Sequence, residues 1–437
     1  MFILNYFYFI IITLFSAKFL FGEKVAVSYP YNKQYKLLLT GPEMFWLLTF
    51  STGLFAFSAP AGLDLMALRL LVLEFFCLIG LFIIKTRPIW VAPIVIYVFY
   101  ITWLVVGLLN TPSPDYGIRV IMKYIYPLFI MVFSSAIMRH SEFFLKVSLA
   151  ARIVALVSLI TLIVPLGPVI PGVLWYPTAR AIHYITISMF SLAIFFCGGK
   201  KQMDLWIAIA FMLPCIIWVF RTSIMGTALA LAVFFFFKYK LKSVPFLLLV
   251  SVMFVASIFL IPSVKEKMFF QTEGKSVESL QNGDISFDDI NSNGRFAMWE
   301  WSLEHFYDKN ELIGSGTGNL QEIFYNLKHP FGGIRICHND YVQILCDNGL
   351  IGLFLFGSSF LFLIIHCFIV FQKKSYPWSI RVCAITAGSS MAGVLLTLYT
   401  DNVINYSMCT ISYPCGFYGM MLGLIRGYKQ QSTNAIQ

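Results

Sequence analysis

The chain has 437 residues, of which 59% are hydrophobic and only 12% are charged, and its formal net charge is +10. This composition is typical of a polytopic membrane protein and excludes an ordinary soluble domain. The positive charge does not indicate a nucleic-acid partner, because the basic residues lie in short segments between apolar runs.

Apolar runs long enough to cross a hydrocarbon core of about 30 Å recur along the chain. They lack the alternation of barrel strands, so we predict an all-α polytopic membrane protein with about twelve transmembrane helices. The predicted spans are Met44–Ser58, Leu63–Ile84, Trp90–Leu109, Gly117–Ile137, Phe144–Val164, Ile182–Cys197, Met203–Phe220, Ser223–Phe237, Val244–Ile261, Tyr341–Phe371, Ile380–Tyr399 and Tyr406–Ile425. The first 22 residues form either a thirteenth span or an interfacial helix, and the sequence favours neither.

Lysine and arginine accumulate in one alternate set of loops, which we therefore expect to be cytoplasmic. These residues are Lys85, Arg87, Arg139, Lys146, Lys200, Lys201, Lys238, Lys240, Lys242, Lys373, Lys374, Arg381, Arg426 and Lys429. The chain then divides into transmembrane helices at 1–261, a large, partly helical outer loop at 262–337, and transmembrane helices at 338–437.

Four basic residues fall on the outer face against this bias: Arg119, Lys123, Arg180 and Arg221. Arg221 lies in a very short turn, in WVFRTSIMG, and Arg180 lies in WYPTARAIHY. An arginine at a membrane edge either snorkels to lipid phosphates or holds an anion in a site. We favour an anion site for Arg221 and Arg180, and a structural role for Arg119 and Lys123.

The outer loop is far longer than an ordinary connection, and its second half carries helical patterns. In SNGRFAMWEWSLEHFYD, apolar residues at spacings of three to four predict an amphipathic helix. They are Phe296, Trp299, Leu303 and Phe306. Arg295 stands in its first turn, where a cation is either incidental or joins the helix amides in holding an anion.

A glycine-rich stretch follows, in which Gly314, Gly316 and Gly318 lead into a further predicted helix. Free amides at a helix start can cradle phosphate. However, no strand precedes this turn and the P-loop lysine is absent, so a nucleotide site is not supported. We interpret the glycines as a tight turn that positions two loop helices.

The tenth predicted span begins with unusually polar residues, in RICHNDYVQILCDNGLIGLFLF. A lone histidine in the position of His338, next to Asn339, is usually structural. Here it is expected to emerge on the same face as the outer arginines, which favours a site. Asp401, on that face, either orients His338 or an arginine, or caps the final helix. Gly349 and Gly352 are expected to allow close approach of a neighbouring helix.

Together these features resemble the O-antigen ligase and polymerase superfamily. His338 and Asn339, followed after nine residues by Gly349 and after two more by Gly352, fit that family's motif of a histidine, a small polar residue, nine residues, glycine, two residues, and Gly, Thr or Tyr. The outer arginine between the seventh and eighth spans, and GRFAMWEW and LIGSGTGNL in the loop, also agree. The resemblance covers about residues 180–401.

The resemblance implies a GT-C-like, inverting, metal-independent glycosyltransferase of the bacterial inner membrane, without a cofactor. It would transfer a glycan from undecaprenyl diphosphate to an acceptor hydroxyl at the periplasmic face. That hydroxyl belongs to a lipid A-core sugar or a protein in a ligase, and to another lipid-linked glycan in a polymerase. The catalytic residues implied are His338, Arg221 and Arg295, and the substrate-binding residues are Arg180, Asp401 and Asn339.

The residue types suit this chemistry. Arginine pairs with two phosphate oxygens and stays protonated, so it can stabilise charge on a departing diphosphate. A histidine can accept a proton from the acceptor hydroxyl near neutral pH. Binding of a phosphate by His338 is the alternative. No DxD-type carboxylate pair on the outer loop lies near the spans, so we expect no metal.

A secondary transporter or a lipid-glycan flippase is the rival from a different class. Transporters place their polar site near the membrane midplane, often between repeated halves. In this chain the unusual polar residues cluster at the outer edge, and no half-repeat is visible. The sequence therefore favours the transferase.

Overall fold

A computed structural model describes residues 87–138, 177–198, 202–217, 220–245, 295–406 and 409–434. It also describes two short segments, 25–28 and 36–39, and the single residues Glu74, Leu78, Leu248 and Val252. Outside these residues lie the N-terminal 22 residues, the first part of the outer loop, the predicted spans 44–58 and 144–164, and nearly all of the spans 63–84 and 244–261.

Eleven α-helices occur in the described ranges. They are α1 (Ala92–Val106), α2 (Pro114–Ile137), α3 (Pro177–Gly198), α4 (Gln202–Ile217), α5 (Arg221–Tyr239), α6 (Arg295–Ser302), α7 (Asn319–Tyr325), α8 (Asp340–Gln372), α9 (Trp378–Thr400), α10 (Val403–Tyr406) and α11 (Cys409–Asn434). Short 3-10 turns, Gly107–Leu109 and Lys240–Ser243, extend α1 and α5, and a π turn, Leu303–Tyr307, follows α6.

Within the described ranges, five helices are long and apolar enough to cross a membrane: α1 and α5 with their extensions, α2, α8 and α9. Two shorter apolar helices, Ile182–Gly198 and Gln202–Ile216, lie within α3 and α4. The prediction of a helical membrane protein is confirmed for this part of the chain. The total of twelve or thirteen spans and the GT-C-like architecture stay predictions.

Apart from helices, the described residues contain one antiparallel hairpin, which the all-α prediction did not include. Strand β1 (Val25–Ser28) pairs with β2 (Lys36–Leu39), with Val25 opposite Leu39. Strands of four residues are at the lower limit of the length over which a sequence pattern indicates a strand, so the sequence alone did not reveal them.

Helix α9 lies at the centre of the described bundle. It packs against α3, α5, α8 and α11, and most of its residues are buried. Helices α5 and α9 approach closely where Gly226 faces the carbonyl oxygen of Gly393, and a side chain at either position would collide with the other helix. This contact brings the first turn of α5 beside the last turn of α9.

The outer loop has a small core of its own against the start of α8. Its buried residues are Met298, Leu320, Phe324, Cys337, Val342 and Cys346. The predicted helix at 292–308 is only partly correct. Helix α6 ends at Ser302 and a π turn follows, so the helical period does not continue through the predicted face. Met298 and Ser302 are buried, whereas Phe296 is 48% exposed.

Helix α8 is broken at Gly349, which has φ 65° and ψ −167°. The N–H groups of Leu350 and Ile351 bind the carbonyl oxygens of Glu311 and Leu312, at 2.8 and 3.2 Å. A Cβ at Gly349 would collide with the backbone of Leu312. The expectation that this glycine approaches a neighbouring helix is therefore wrong: the close partner is the loop.

The glycine-rich loop folds as a tight turn, as we predicted, but the helices that it positions are the loop helix α7 and the long helix α8, and not two loop helices. Gly314, Gly316 and Gly318 all have positive φ, and Gly318 precedes α7. The buried carboxylate of Asp347, on α8, accepts the N–H groups of Gly318 and Leu320 at 3.1 and 2.8 Å. An acidic group suits the start of α7 because free amides and the helix dipole favour negative charge there. The turn thus fixes α7 against α8.

Candidate active site

His338 and Asp401 form a hydrogen-bonded pair between the ends of two neighbouring helices. Nδ1 of His338 lies 2.8 Å from Oδ1 of Asp401. His338 lies just before α8, and Asp401 directly follows α9. The two side chains are 27% and 21% exposed, so a substrate can reach the pair.

This hydrogen bond defines which imidazole nitrogen is available for chemistry. An ionised carboxylate only accepts hydrogen bonds, so Nδ1 of His338 carries the proton that it donates to Asp401. In the neutral ring, Nε2 then has a free lone pair. Among the described residues, Nε2 has no hydrogen-bond partner. His338 is thus arranged to accept a proton or a hydrogen bond at Nε2.

Thr400, the last residue of α9, connects this pair to the outer loop and to α5. Its carbonyl oxygen accepts a 2.5 Å hydrogen bond from Nη1 of Arg295. Its hydroxyl donates a 3.1 Å hydrogen bond to the hydroxyl of Thr222, which follows Arg221. The last carbonyls of a helix lack helical partners, so a guanidinium is favourable there. Thr400 therefore brings both arginines near Asp401.

Arg221 and Arg295 lie close enough to repel each other electrostatically. Each is partly buried in the first turn of its helix, α5 or α6, where free amides add a partial positive charge. A guanidinium has five N–H donors, and in the described part of the chain Arg295 uses only one of them. Two like charges held together are stabilised when an anion binds between them.

Local structure explains how His338 reaches its partner. His338 has φ 54°, in the left-handed region that histidine adopts more readily than most non-glycine residues. Asn339 is the N-cap of α8, and its Oδ1 accepts two backbone N–H groups of the first turn at 2.9 and 3.1 Å. Trp299 donates a 2.8 Å hydrogen bond to the carbonyl of Cys337. The backbone on both sides of His338 is therefore fixed.

Sequence analysis missed two buried residues beside the pair, Asp340 and Asn402, which are 1% and 0% exposed. Nδ2 of Asn402 donates to Oδ1 of Asp340 at 3.0 Å and to Oε1 of Gln343 at 3.1 Å. The N–H of Ile404 donates to Oδ2 of Asp340 at 3.2 Å. No sequence pattern links Asp340 to Asn402, because the two residues lie 62 positions apart.

The structure places the remaining predicted residues less directly. Arg180 lies in the first turn of α3, but its side chain is outside the described residues. Asn339 is 1% exposed and acts as a helix cap, so a substrate contact for it stays a prediction. The guanidinium of Arg119 lies 5.2 Å from the ring centroid of Tyr116, in agreement with a structural role.

The arrangement combines two cations with a polarised histidine at one end of the helices. Such a site can bind a polyanion and remove a proton from a nearby hydroxyl. Within the described ranges, no group of three or more His, Cys, Asp or Glu side chains is positioned to hold a metal ion.

The chain was compared with known protein families. Residues 206–357 match the family model described as O-antigen ligase. The matched segment begins in α4, contains Arg221, Arg295 and His338, and ends in α8. No curated protein matches the chain. The match confirms the resemblance to the O-antigen ligase superfamily and supports, at the level of the family, a membrane glycosyltransferase of the ligase or polymerase type.

Proposed function

Because residues 206–357 match the O-antigen ligase family, we propose that the protein transfers a glycan from undecaprenyl diphosphate to an acceptor hydroxyl at the periplasmic face of a bacterial inner membrane. The observation that carries the proposal is the convergence of Arg221 and Arg295 on the His338–Asp401 pair. A diphosphate donor explains two cations side by side, and a hydroxyl acceptor explains the histidine.

In the proposed reaction the acceptor hydroxyl attacks the anomeric carbon of the glycan. A new carbon–oxygen bond forms as the bond to the diphosphate breaks, and attack from the opposite face inverts the anomeric configuration. Nε2 of His338 takes the hydroxyl proton. Asp401 stabilises the imidazolium that forms, as the carboxylate does in other histidine–carboxylate pairs. The leaving undecaprenyl diphosphate keeps the electron pair of the broken bond.

The arginines act on the leaving group. Negative charge grows on the diphosphate as its bond to the sugar breaks, and fixed cations stabilise that charge without reorganisation. The hydrogen bond from Arg295 to the carbonyl of Thr400 holds one edge of its guanidinium. Its remaining donors can then bind phosphate oxygens. Because these cations can supply the required charge, we propose a metal-independent reaction.

The position of the site suits a lipid-linked donor. Arg221 is the first residue of a candidate membrane span, and His338 lies two residues before another. A lipid tail can therefore lie in the bilayer while its diphosphate reaches the arginines. Lys238, Lys240 and Lys373 lie at the other ends of the same helices, and by the positive-inside rule this supports a site on the outer face.

Polymerisation of lipid-linked repeat units is the alternative within the same chemistry. A ligase and a polymerase differ in the acceptor: a lipid A-core sugar or a protein hydroxyl for the former, a second lipid-linked glycan for the latter. A transporter or flippase would instead move its substrate without forming a bond. We favour a ligase because the family match bears that description.

Reconstitution in liposomes tests the proposal. Purified protein would receive an undecaprenyl-diphosphate-linked glycan and each class of acceptor in turn, with mass spectrometry of the products. We expect one acceptor to become glycosylated with release of undecaprenyl diphosphate, and we expect EDTA to leave the rate unchanged. Movement of the donor across the bilayer without a new glycosidic bond would contradict the proposal, and loss of activity in EDTA would contradict its metal-independent form.

A further inference from the structure

We propose that Asp340 is a positioning residue for glycan transfer, holding Asp401 against His338 through Asn402. The inference rests on the proposed function, since it assigns a role within that same site. Asp340 does not contact His338 directly in the hydrogen-bond network, and we assign it no contact with substrate.

The turn that carries Asp401 needs an external support. Helix α9 ends at Thr400, and Asp401 has an extended backbone, with φ −160° and ψ 161°. The chain then enters α10, which has only four residues. An isolated helix of four residues is not stable, because forming the first helical turn is unfavourable. The direction of the Asp401 side chain therefore depends on what the following residues contact.

Asp340 supplies that contact with both carboxylate oxygens. Oδ1 accepts from the side chain of Asn402 at 3.0 Å, and Oδ2 accepts from the backbone of Ile404 at 3.2 Å. These two donors lie one and three residues after Asp401. Gln343, one turn further along α8, accepts a second hydrogen bond from Asn402 at 3.1 Å. Asp340 and Gln343, both near the start of α8, therefore hold the segment after Asp401 through three hydrogen bonds.

This buried bridge joins the same two chain segments as the exposed pair. His338 and Asp340 lie two residues apart at the start of α8, and Asp401 and Asn402 are adjacent after α9. The outer link is the 2.8 Å contact of His338 with Asp401, and the inner link is the contact of Asp340 with Asn402. The inner link is almost fully buried, whereas the outer one is open to substrate. A rigid support therefore lies directly behind the reactive pair.

A carboxylate suits position 340 because the side chain of Asn402 and the backbone N–H of Ile404 each donate to a different oxygen of Asp340. Asparagine there would present one oxygen and one NH2 group, so one buried donor would lose its acceptor. An unsatisfied buried donor costs more than the hydrogen bond itself contributes. We therefore expect Asp340→Asn to release Asp401 from its register with His338 while α8 stays folded.

The first test separates the chemical step from donor binding. For Asp340→Asn, we expect kcat to fall by about 10- to 100-fold, as for loss of a hydrogen bond to a charged group, with the KM for the lipid-linked donor unchanged. We expect donor binding to stay unchanged because Arg295 is held by the carbonyl of Thr400, the last residue of α9, and not by Asp340. A fall in the amount of folded protein with normal kcat per folded molecule would overturn the proposal.

A charge exchange provides the decisive variant. In D340N/N402D the amide at position 340 can donate to the carboxylate at position 402 and still accept from the N–H of Ile404. Gln343 satisfies the new carboxylate by turning its amide over. We expect kcat to recover by about tenfold or more over Asp340→Asn, because paired residues are not additive. A double variant no better than Asp340→Asn, although folded, would contradict the proposal.

The control breaks a partly buried hydrogen bond elsewhere in the bundle. Tyr418→Phe removes the 2.7 Å contact between Tyr418 and His366, far along α8 from the site. We expect it to lower thermal stability without changing kcat.

His338→Ala distinguishes failure of the positioning role of Asp340 from failure of the proposed function. If it abolishes transfer while Asp340→Asn does not affect kcat, only the positioning role is wrong. If neither variant affects transfer, the proposed function of this site is wrong.

Discussion

The two ends of the helix bundle use similar polar side chains in different ways. One end of the bundle is where α8 finishes. There, Arg381 donates a 3.2 Å hydrogen bond to the carbonyl of Phe371, and Gln372 donates a 2.7 Å hydrogen bond to the carbonyl of Phe237. Arg426 binds backbone carbonyls of α2 and of the segment before α1. These side chains satisfy carbonyls near helix ends, as basic residues there often do.

At the opposite end, side chains from separate segments meet one another. Arg295 also binds a terminal carbonyl, but it does so beside a second arginine and a histidine–carboxylate pair. An arginine at a helix end is therefore not by itself a functional signal. The convergence of like charges on a polarised histidine distinguishes the candidate site from the ordinary capping of the other end.

A matched pair of histidines provides the largest expected contrast. His338→Ala should lower the rate of transfer by about 100- to 10,000-fold, the usual contribution of a general base. His366→Ala, at the other end, loses a hydrogen bond to Tyr418 and should leave the rate within about twofold. Transfer rates per folded molecule in liposomes check both. Equal effects of the two variants on the rate would contradict the assignment of the active site to the end that contains His338.

Matched arginines give the next effect. Arg221→Lys should reduce transfer by about 100-fold, because lysine cannot pair with two phosphate oxygens at once. Arg381→Lys keeps a cation near the carbonyl of Phe371, at the other end of the bundle, and should have little effect on the rate. The measurement is the initial rate at saturating acceptor over a range of donor concentrations. Full activity of Arg221→Lys would show that the outer arginine has a structural role only.

Two glycines of α8 should differ in stability. Gly349→Ala forces a side chain into a positive φ and into the loop backbone, so the free energy of unfolding should fall by about 1–3 kcal/mol. Gly357→Ala has open space around it and lies in regular helix, where alanine is favoured by about 0.5–1 kcal/mol. Thermal unfolding in detergent compares them. Similar melting temperatures would contradict the observed helix break.

Hydropathy was sufficient to predict where the described spans lie. The predicted runs Gly117–Ile137, Tyr341–Phe371 and Ile380–Tyr399 correspond closely to α2, α8 and α9, because a membrane helix is one long apolar segment. The proximity of Arg221 to Arg295 agrees with their predicted location on one face, while the roles of the two arginines stay predictions. These features are local or follow from alternation of sides, so the sequence contains them directly.

Other features depend on contacts between distant residues, which cannot be predicted from a single sequence. Gly349 fits a helix-packing motif equally well whether its backbone is helical or broken, so the break was missed. The buried face of α6 shifts because a π turn follows Ser302. The link of Asp340 to Asn402 depends on how α8 packs against the end of α9. Each of these requires knowledge of a distant partner.

The most direct test is a double-mutant cycle on His338 and Asp401. Transfer rates would be measured in liposomes for His338→Ala, Asp401→Asn and the two changes together, with folding checked by size-exclusion chromatography. If the pair acts as one catalytic unit, each single change is severely impaired and the double variant is no slower than His338→Ala. Losses that simply multiply, or a rate close to that of the unaltered protein in any of the three, would contradict the account.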